Sequence, residues 1–348
     1  MPPPLWQGLV RKTPSIAPLA NRGLLSITGS QSTDFLNGLL GSSVQEPVRN
    51  QFSTGRVMYD VFLYATTNGY LLEYDMAPSE AVSLSSYLKR HVLRSKVKIR
   101  SATEEYDVWA AWGSTKDHEW ETKRHWHWER SGAVEPVWNG SPSWPWGTGE
   151  GIILDRRAVG MGRRLLVRKG EHPQDSSTHD IVPTEEYVLH RIIRGVPEGA
   201  ADIVPMQAFP MESNLDIMGA LDFRKGCYVG QELTVRTYHT GVIRKRILPV
   251  VIQKLEQGVQ ISHTPPLPLN LDIKPVIEKP GPRPRGSGKI LSNQKGVGLA
   301  LLRLEHVAGV QKGDLRFDIV DGENATNLTA VPWWPEWWPR EPDTTSST

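Results

Sequence analysis

The segment RKGCYVGQE, Arg224 to Glu232, holds the only cysteine among 348 residues. Thiol chemistry runs through the thiolate, and nearby positive charge favours that form. Arg224 and Lys225 precede Cys227 directly, and Arg236 follows shortly after it. Gly226 and Gly230 permit backbone conformations that other residues resist, so they can hold a thiol on an exposed turn. A lone cysteine more often packs as a small buried hydrophobe. Here the cations and glycines shift the reading to a presented thiol. Three chemistries then compete. In a cysteine hydrolase His239 would be the base and Gln231 an oxyanion donor, but nothing in the local order fixes a base or its orienter. Cluster ligation takes about four protein ligands, mostly thiolates. Cys227 can therefore complete such a set only with thiolates from a partner or a small molecule. One-carbon transfer on a folate needs a carboxylate to engage the pterin and does not need the thiol.

One cysteine also excludes an intrachain disulfide and a self-contained Cys-based zinc site, which suits a reducing compartment. The composition, 39% apolar and 22% charged, is ordinary for a globular chain. At 348 residues it exceeds the usual single core, so two or three domains are expected. The net charge is only +2 and the cations are scattered among acids, which leaves no nucleic-acid footprint. No run approaches the roughly 20 apolar residues that span a bilayer. Arg11, Lys12 and Arg22 all precede the first acid, Asp34. That pattern fits the remnant of a matrix-targeting presequence as well as a plain disordered N-terminus.

These residues need elements to position them. Leu24 to Thr28 reads as a short strand, followed by a helix in SQSTDFLNGLLG with Ser30 and Ser32 as cap candidates. Two strands follow in RVMYDVFLYATTNGYLLEYD, turning at Asn68-Gly69. A helix starting near Pro78 places Ala81, Leu84, Leu88 and Val92 on one face, and KVKIR returns as strand. The order β-α-β-β-α-β is a split βαβ unit of ferredoxin-like type. Further on, DVWAAW and RRLLVRK read as strands and PTEEYVLHRIIRGVPEG as a helix, with Glu185 and Glu186 in its first turn and Gly195 past its end. Trp112, Trp120, Trp126, Trp128, Trp138, Trp144 and Trp146 follow no helical or alternating period, which fits an aromatic surface for stacking or partner binding and, in preference to it, a long insertion pinned by buried rings. His125 and His127 stand two apart as chelating ligands on a strand would, but no carboxylate or thiol set joins them, so they read as surface. The C-terminal region, from RKRILPVVIQ through GVGLALLRL and LRFDIV, suggests a small antiparallel barrel or sandwich. Its Pro- and Gly-rich stretch 263–288 reads as a long loop. In the tail PWWPEWWPREPDTTSST the tryptophans would strap the chain onto a domain, with the last residues disordered.

KGCYVGQE resembles the signature of the YgfZ branch of the folate-binding, glycine-cleavage T-protein-like superfamily. NRGLLSITGSQSTDFLNGLL, TGRVMYDVFLY, HRIIRGVPEG and PMESNLDIMGALDF are similar to the family in the same order, so the likeness covers roughly 20–110 and 180–320. Within that branch the chain resembles mitochondrial iron–sulfur assembly factors of the Iba/Caf type. The resemblance implies an α+β fold, a three-domain ring around a central cavity with a ferredoxin-like N-terminal part and a small C-terminal antiparallel β-barrel. The implied parts are 20–105, 106–243 with a Trp-rich insertion at about 113–150, 244–332, and a tail 333–348. It further implies a matrix protein, monomeric when free and more an assembly factor than an enzyme. Such a protein works late, with A-type scaffold proteins, on four-iron four-sulfur clusters for enzymes such as aconitase. Cys227 then takes the role of essential thiol and shares a cluster with the partner, no cofactor being bound by the chain alone. Arg224, Lys225, Gly226, Tyr228, Gly230, Gln231, Glu232 and Arg236 shape its turn. The alternative is a tetrahydrofolate-dependent aminomethyl transferase, with Asp60 and Arg56 at the folate site. Arg56 stands where the transferase pattern has glycine, and Asp60 reads equally as a strand residue paired with a base.

Overall fold

A computed structural model describes residues 4–44, 50–53, 56–115, 124–138, 151–255, 266–322 and 324–340. A 3-10 turn (Pro4–Leu9) opens the chain, followed by β1 (Ser15–Pro18), β2 (Arg22–Thr28), α1 (Ser32–Asn37), β3 (Asn50–Ser53), β4 (Val57–Thr66), β5 (Gly69–Asp75), α2 (Leu84–Val92) and β6 (Lys98–Ser101). The middle of the chain forms β7 (Tyr106–Trp112), β8 (Arg124–Trp128), β9 (Val134–Trp138), β10 (Ile152–Leu154), β11 (Arg163–Arg168), β12 (Asp180–Ile181), α3 (Thr184–Ile193), α4 (Gly199–Asp202) and α5 (Gln231–Thr240). The last third contributes β13 (Lys245–Lys254), β14 (Asp272–Ile277), β15 (Gly288–Gln294), β16 (Val297–Arg303), α6 (Leu304–Gln311), β17 (Leu315–Asp321) and β18 (Asn324–Pro332). No helix among the described residues is long and apolar enough to cross a membrane.

The first sheet has the order β3-β4-β5-β2-β6 and is antiparallel throughout. Its β4-β5-β2-β6 part is the expected ferredoxin-like arrangement, with β3 added at the edge. Side chains alternate across a strand, and here both faces are apolar. Val61, Leu63 and Leu72 pack under Leu36, Leu84 and Leu88 of the helices. Phe62, Tyr64 and Leu71 face the core shared with the middle of the chain. Three local expectations need correction. Thr66 pairs with Gly69, so Thr67-Asn68 makes the turn. Gly69, at φ 145°, instead starts β5 where a Cβ would meet the Ile27 carbonyl oxygen at 2.2 Å. Helix α2 begins after Pro78, not at it, because the Ser83 hydroxyl accepts the Ser86 N–H at 3.4 Å and caps it there. Gln31 precedes α1 without a side-chain cap bond, so neither Ser30 nor Ser32 caps that helix.

The second sheet has the order β10-β11-β7-β1-β12. Only the β1–β12 pair is parallel. Strand β1 corrects the reading of an unstructured N-terminus over the described residues. Two of its cations serve the fold: Arg11 pairs with Asp180 at 2.9 Å and Arg22 with Glu73 at 2.7 Å. Helix α3 forms as expected, with Glu185 and Glu186 in its first turn and Gly195 at φ 70° past its end. Trp120, Trp144 and Trp146 lie outside the described residues. Trp126 and Trp128, however, do alternate, facing inward on β8 while His125 and His127 stand exposed.

The C-terminal strands close into an antiparallel barrel, β13-β16-β15-β14-β17-β18. Strand β14 lies inside the stretch read as loop. Its Pro275 pairs with Phe317 of β17, whereas β15 reaches only Asp272 and Ile273. Proline is tolerated where one side of a strand is unpaired, and that exception hid the strand. The tryptophan strap is present: Trp333 is buried against Ile193 and Leu299, and Trp337 Nε1 donates to the Arg194 carbonyl at 2.8 Å. The residues expected to be disordered, 341–348, lie outside the described part.

Candidate functional site

The approach to α5 is tied down on both sides of Cys227. Asp222 N–H donates to the Gly41 carbonyl at 3.0 Å, and Val229 N–H to the Gly38 carbonyl at 3.0 Å. The Asp222 carboxylate turns the chain by accepting Arg224 N–H at 2.9 Å and Lys225 N–H at 3.1 Å. Lys225 Nζ then donates to the carbonyls of Asn37 at 2.8 Å, Leu40 at 2.8 Å and Ser42 at 3.1 Å. Those carbonyls lie at and just past the end of α1, where the helix itself offers no donors. Burial lowers the Lys225 pKa to about 8, against the pull of Asp222. Tyr228 lies buried beneath the ammonium, 5.1 Å from ring centre to Nζ, and burial raises its hydroxyl to about 12. Gln231 closes the turn: its Oε1 accepts Tyr228 N–H at 3.3 Å and its own N–H reaches the Tyr228 carbonyl at 3.3 Å. Gly230 supplies the left-handed cap of α5 at φ 85°. Between these anchors Cys227 is exposed.

This geometry alters several roles. Lys225 spends its ammonium on α1, so it is an anchor and not a free cation beside the thiol. Gln231 is a turn residue and not an oxyanion donor. His239 sits in the last turn of the 10-residue α5 while Cys227 precedes the first. About 15 Å of helix axis therefore separates the two ends, too far for a base to reach a nucleophile. Arg224, Glu232 and Arg236 are exposed. Gly226 has no positive φ, and nothing lies within 4 Å of a Cβ built there. Lys225→Met is expected to cost about 1–3 kcal/mol, since carbonyls lose a charged donor. Hydrogen exchange checks this: the amides of Asp222 and Val229 should exchange faster in the variant, and unchanged rates would refute the anchoring role.

Asp60 and Arg56 both stitch β4 to the segment that follows α3. Asp60 is 3% exposed and its Oδ1 accepts Gly199 N–H at 2.9 Å. Arg56 is exposed, donates from Nη1 to the Gln207 carbonyl at 2.7 Å, and lies 4.3 Å over the Phe209 ring. Around them runs an ion network that sequence reasoning missed. Glu73 accepts from Arg22 Nε at 2.7 Å and from the Tyr64 hydroxyl at 2.8 Å, and lies 3.3 Å from Arg164 Nη1. Glu198 in turn pairs with Arg164, with Arg157 Nη1 at 2.6 Å, and accepts the Tyr187 hydroxyl at 2.7 Å. Burial would raise the Glu198 pKa, but Arg164 and Arg157 overcome it and hold the carboxyl well below its ordinary value. Asp202 carries the network to the barrel, pairing with Arg191 and accepting Ser292 N–H at 2.9 Å. The network joins the two five-stranded sheets to the barrel. No local signal marks it, because Glu73 and Glu198 are far apart in the chain.

With that geometry in place, residues 244–340 match the family described as CAF17, C-terminal beta-barrel domain. The "Iron-sulfur cluster assembly factor IBA57 homolog, mitochondrial" of Cryptococcus neoformans var. neoformans serotype D is 39% identical over 321 residues, spanning 84% of this chain and 84% of that relative. The chain belongs to the IBA57 homologue family. An IBA57 homologue of Aspergillus oryzae is 38% identical over 335 residues, spanning 84% of this chain and 71% of its own length. Membership at this level bears out the family resemblance read from KGCYVGQE and its flanks. Glycine cleavage system aminomethyltransferase T from Bartonella henselae superposes with a TM-score of 0.59 over 92% of this chain and 85% of that one, at 12% identity. The IBA57 homologue fold is thus of aminomethyltransferase type, α+β with a closed C-terminal barrel; the likeness speaks for fold and not for activity.

Proposed function

We propose that the chain is an assembly factor for mitochondrial iron–sulfur clusters, acting late in the matrix with an A-type scaffold protein on four-iron four-sulfur clusters. Cys227 supplies one thiolate to a cluster held between the two proteins. The observation that carries this reading is the sole cysteine standing exposed on a loop anchored at Asp222, Lys225, Val229 and Gln231. Among the described residues no group of three or more His, Cys, Asp or Glu side chains is placed to hold a metal ion. A cluster needs about four ligands, so the others come from the partner. Gly226 supports the same reading. Neither its φ nor its packing requires glycine, and leaving out a side chain there keeps the approach to the thiol clear. Nothing in the site favours the tetrahydrofolate-dependent transferase, because the Asp60 carboxylate is buried and used within the fold.

The test mixes the chain with reduced A-type partner, ferrous iron and sulfide and records visible absorption. Wild type is expected to give a cluster spectrum that comigrates with a heterocomplex on gel filtration. Cys227→Ala should lose both, and an unchanged spectrum and complex in that variant would overturn the shared-ligand model.

A further inference from the structure

We infer that the molecule docks on an anionic lipid bilayer through the turn between α2 and β6, where Leu93 enters the bilayer surface and a group of cations answers the headgroups; this is independent of the assembly reading. The near balance of charge over the whole chain hides a local excess. Residues 81–103 contain no acid, while Lys89, Arg90, Arg94, Lys96, Lys98 and Arg100 gather at the end of α2 and on the strand after it. All six are exposed. Of these, only Arg100 has an ion-pair partner among the described residues, Glu105. The other five charges face solvent with nothing in the fold to answer them.

The turn that carries Leu93 has a defined shape. Val92 and Val97 on either side pack against the core beneath α2, the Ser95 N–H donates to the Val92 carbonyl at 2.7 Å, and the Lys96 N–H donates to Gln31 Oε1 at 2.7 Å. Leu93 takes φ 44° and ψ −109°, the first central position of a type II′ turn, where glycine is the favoured residue. A bulky side chain at positive φ is an outlier that costs stability. The position nevertheless holds a leucine, and it is 87% exposed. Neither the backbone nor the core calls for that side chain, so its use lies at the surface.

An apolar tip among cations matches an anionic bilayer. Each Lys or Arg held near such a surface strengthens binding about fivefold, and an apolar side chain at the boundary with the acyl chains adds to it. Lys98 and Arg100 lie on β6, an edge strand, so the cations follow the rim of the first sheet. A single-stranded nucleic acid would call for exposed rings on which bases stack. Here the rings turn inward: Tyr87 is buried, and His91 packs on it at 4.5 Å with Nδ1 against the Tyr87 carbonyl. An acidic peptide would satisfy the charges without using Leu93.

Flotation of the full chain with lipid vesicles tests the site. The chain should bind vesicles of phosphatidylcholine mixed with phosphatidylglycerol but not phosphatidylcholine alone, and about 1 M salt should release it, because the screening length falls to about 3 Å. Arg94→Gln combined with Lys96→Gln should weaken binding roughly 25-fold. Leu93→Gly, which suits the turn and so keeps the fold, should weaken it about tenfold, while binding to heparin, a polyanion with no apolar phase, stays at the wild-type level. Lys312→Gln, at the exposed end of α6, should leave vesicle binding unchanged. No binding to the anionic vesicles, equal binding to neutral ones, wild-type binding by either patch variant, an equal loss on heparin in Leu93→Gly, or an equal loss in Lys312→Gln would each overturn the inference. Tighter binding to polyglutamate than to the anionic vesicles would assign the patch to an acidic protein and overturn it as well.

Discussion

Cys227→Ser is expected to abolish maturation of four-iron four-sulfur enzymes such as aconitase while changing folding stability by no more than about 0.5 kcal/mol. The side chain is exposed, and every bond that shapes its loop is made by other residues: Asp222, Lys225, Val229 and Gln231. Serine keeps the size and a hydrogen-bonding group but not the soft thiolate that iron–sulfur chemistry selects. Two measurements separate the effects. Urea unfolding of the purified variant should overlay the wild type. Complementation of cells depleted of their own family member should leave aconitase activity at the background of the empty vector. Full complementation by the serine variant would mean the chain works as a passive scaffold, and the ligand role of Cys227 would fall.

The second large effect concerns the buried ions. Glu198→Gln is expected to destabilise the protein by about 3 kcal/mol, because breaking a buried pair leaves a charge uncompensated. Glu198 is 6% exposed and answers both Arg164 and Arg157. Glu73 still faces Arg164 and Asp155 still faces Arg157, so the cost lies at the low end for such a break. A cycle with Arg164→Met shows coupling if the double variant costs clearly less than the two singles together. The pH dependence has a definite sign. The folded-state pKa of Glu198 is depressed, so the unfolded chain binds the proton more readily in acid. Its stabilisation is complete above the ordinary carboxylate value of 4.5 and is lost as pH falls below that toward the folded-state value. Wild type should lose stability more steeply than Glu198→Gln in that window, and parallel curves would show that Glu198 is not the group responsible.

The candidate site was legible in part. KGCYVGQE marked the thiol, and of the two glycines expected to hold its turn Gly230 does so in the left-handed region, whereas Gly226 has no positive φ. Helix α5, directly after it, went unread, since Val235, Thr234 and Thr237 are β-branched and weaken a helical pattern. Packing of Thr234 and Tyr238 compensates there. The role of Lys225 was misjudged for a different reason. Adjacency in sequence suggested adjacency in charge, but a lysine stem is long enough to carry the ammonium away from its neighbour and onto carbonyls at Asn37, Leu40 and Ser42. Among the tryptophans, the alternation of β8 spans only residues 124–128, too short to stand out among irregular neighbours.

Local pattern by itself determined the ferredoxin-like order of the first sheet, helix α3 and its ends, the β-rich C-terminal third and the presented thiol. Each rests on neighbours a few residues apart, within reach of hydrophobic period, capping and turn chemistry. Only the tertiary structure decided that the barrel closes, that Lys225 serves α1, and that Asp60 is buried. The same holds for the ion network that joins Glu73 to Glu198. Those outcomes depend on residues far apart in the chain meeting where water is excluded, and a charge reads alike in sequence whether it ends in solvent or in a buried pair.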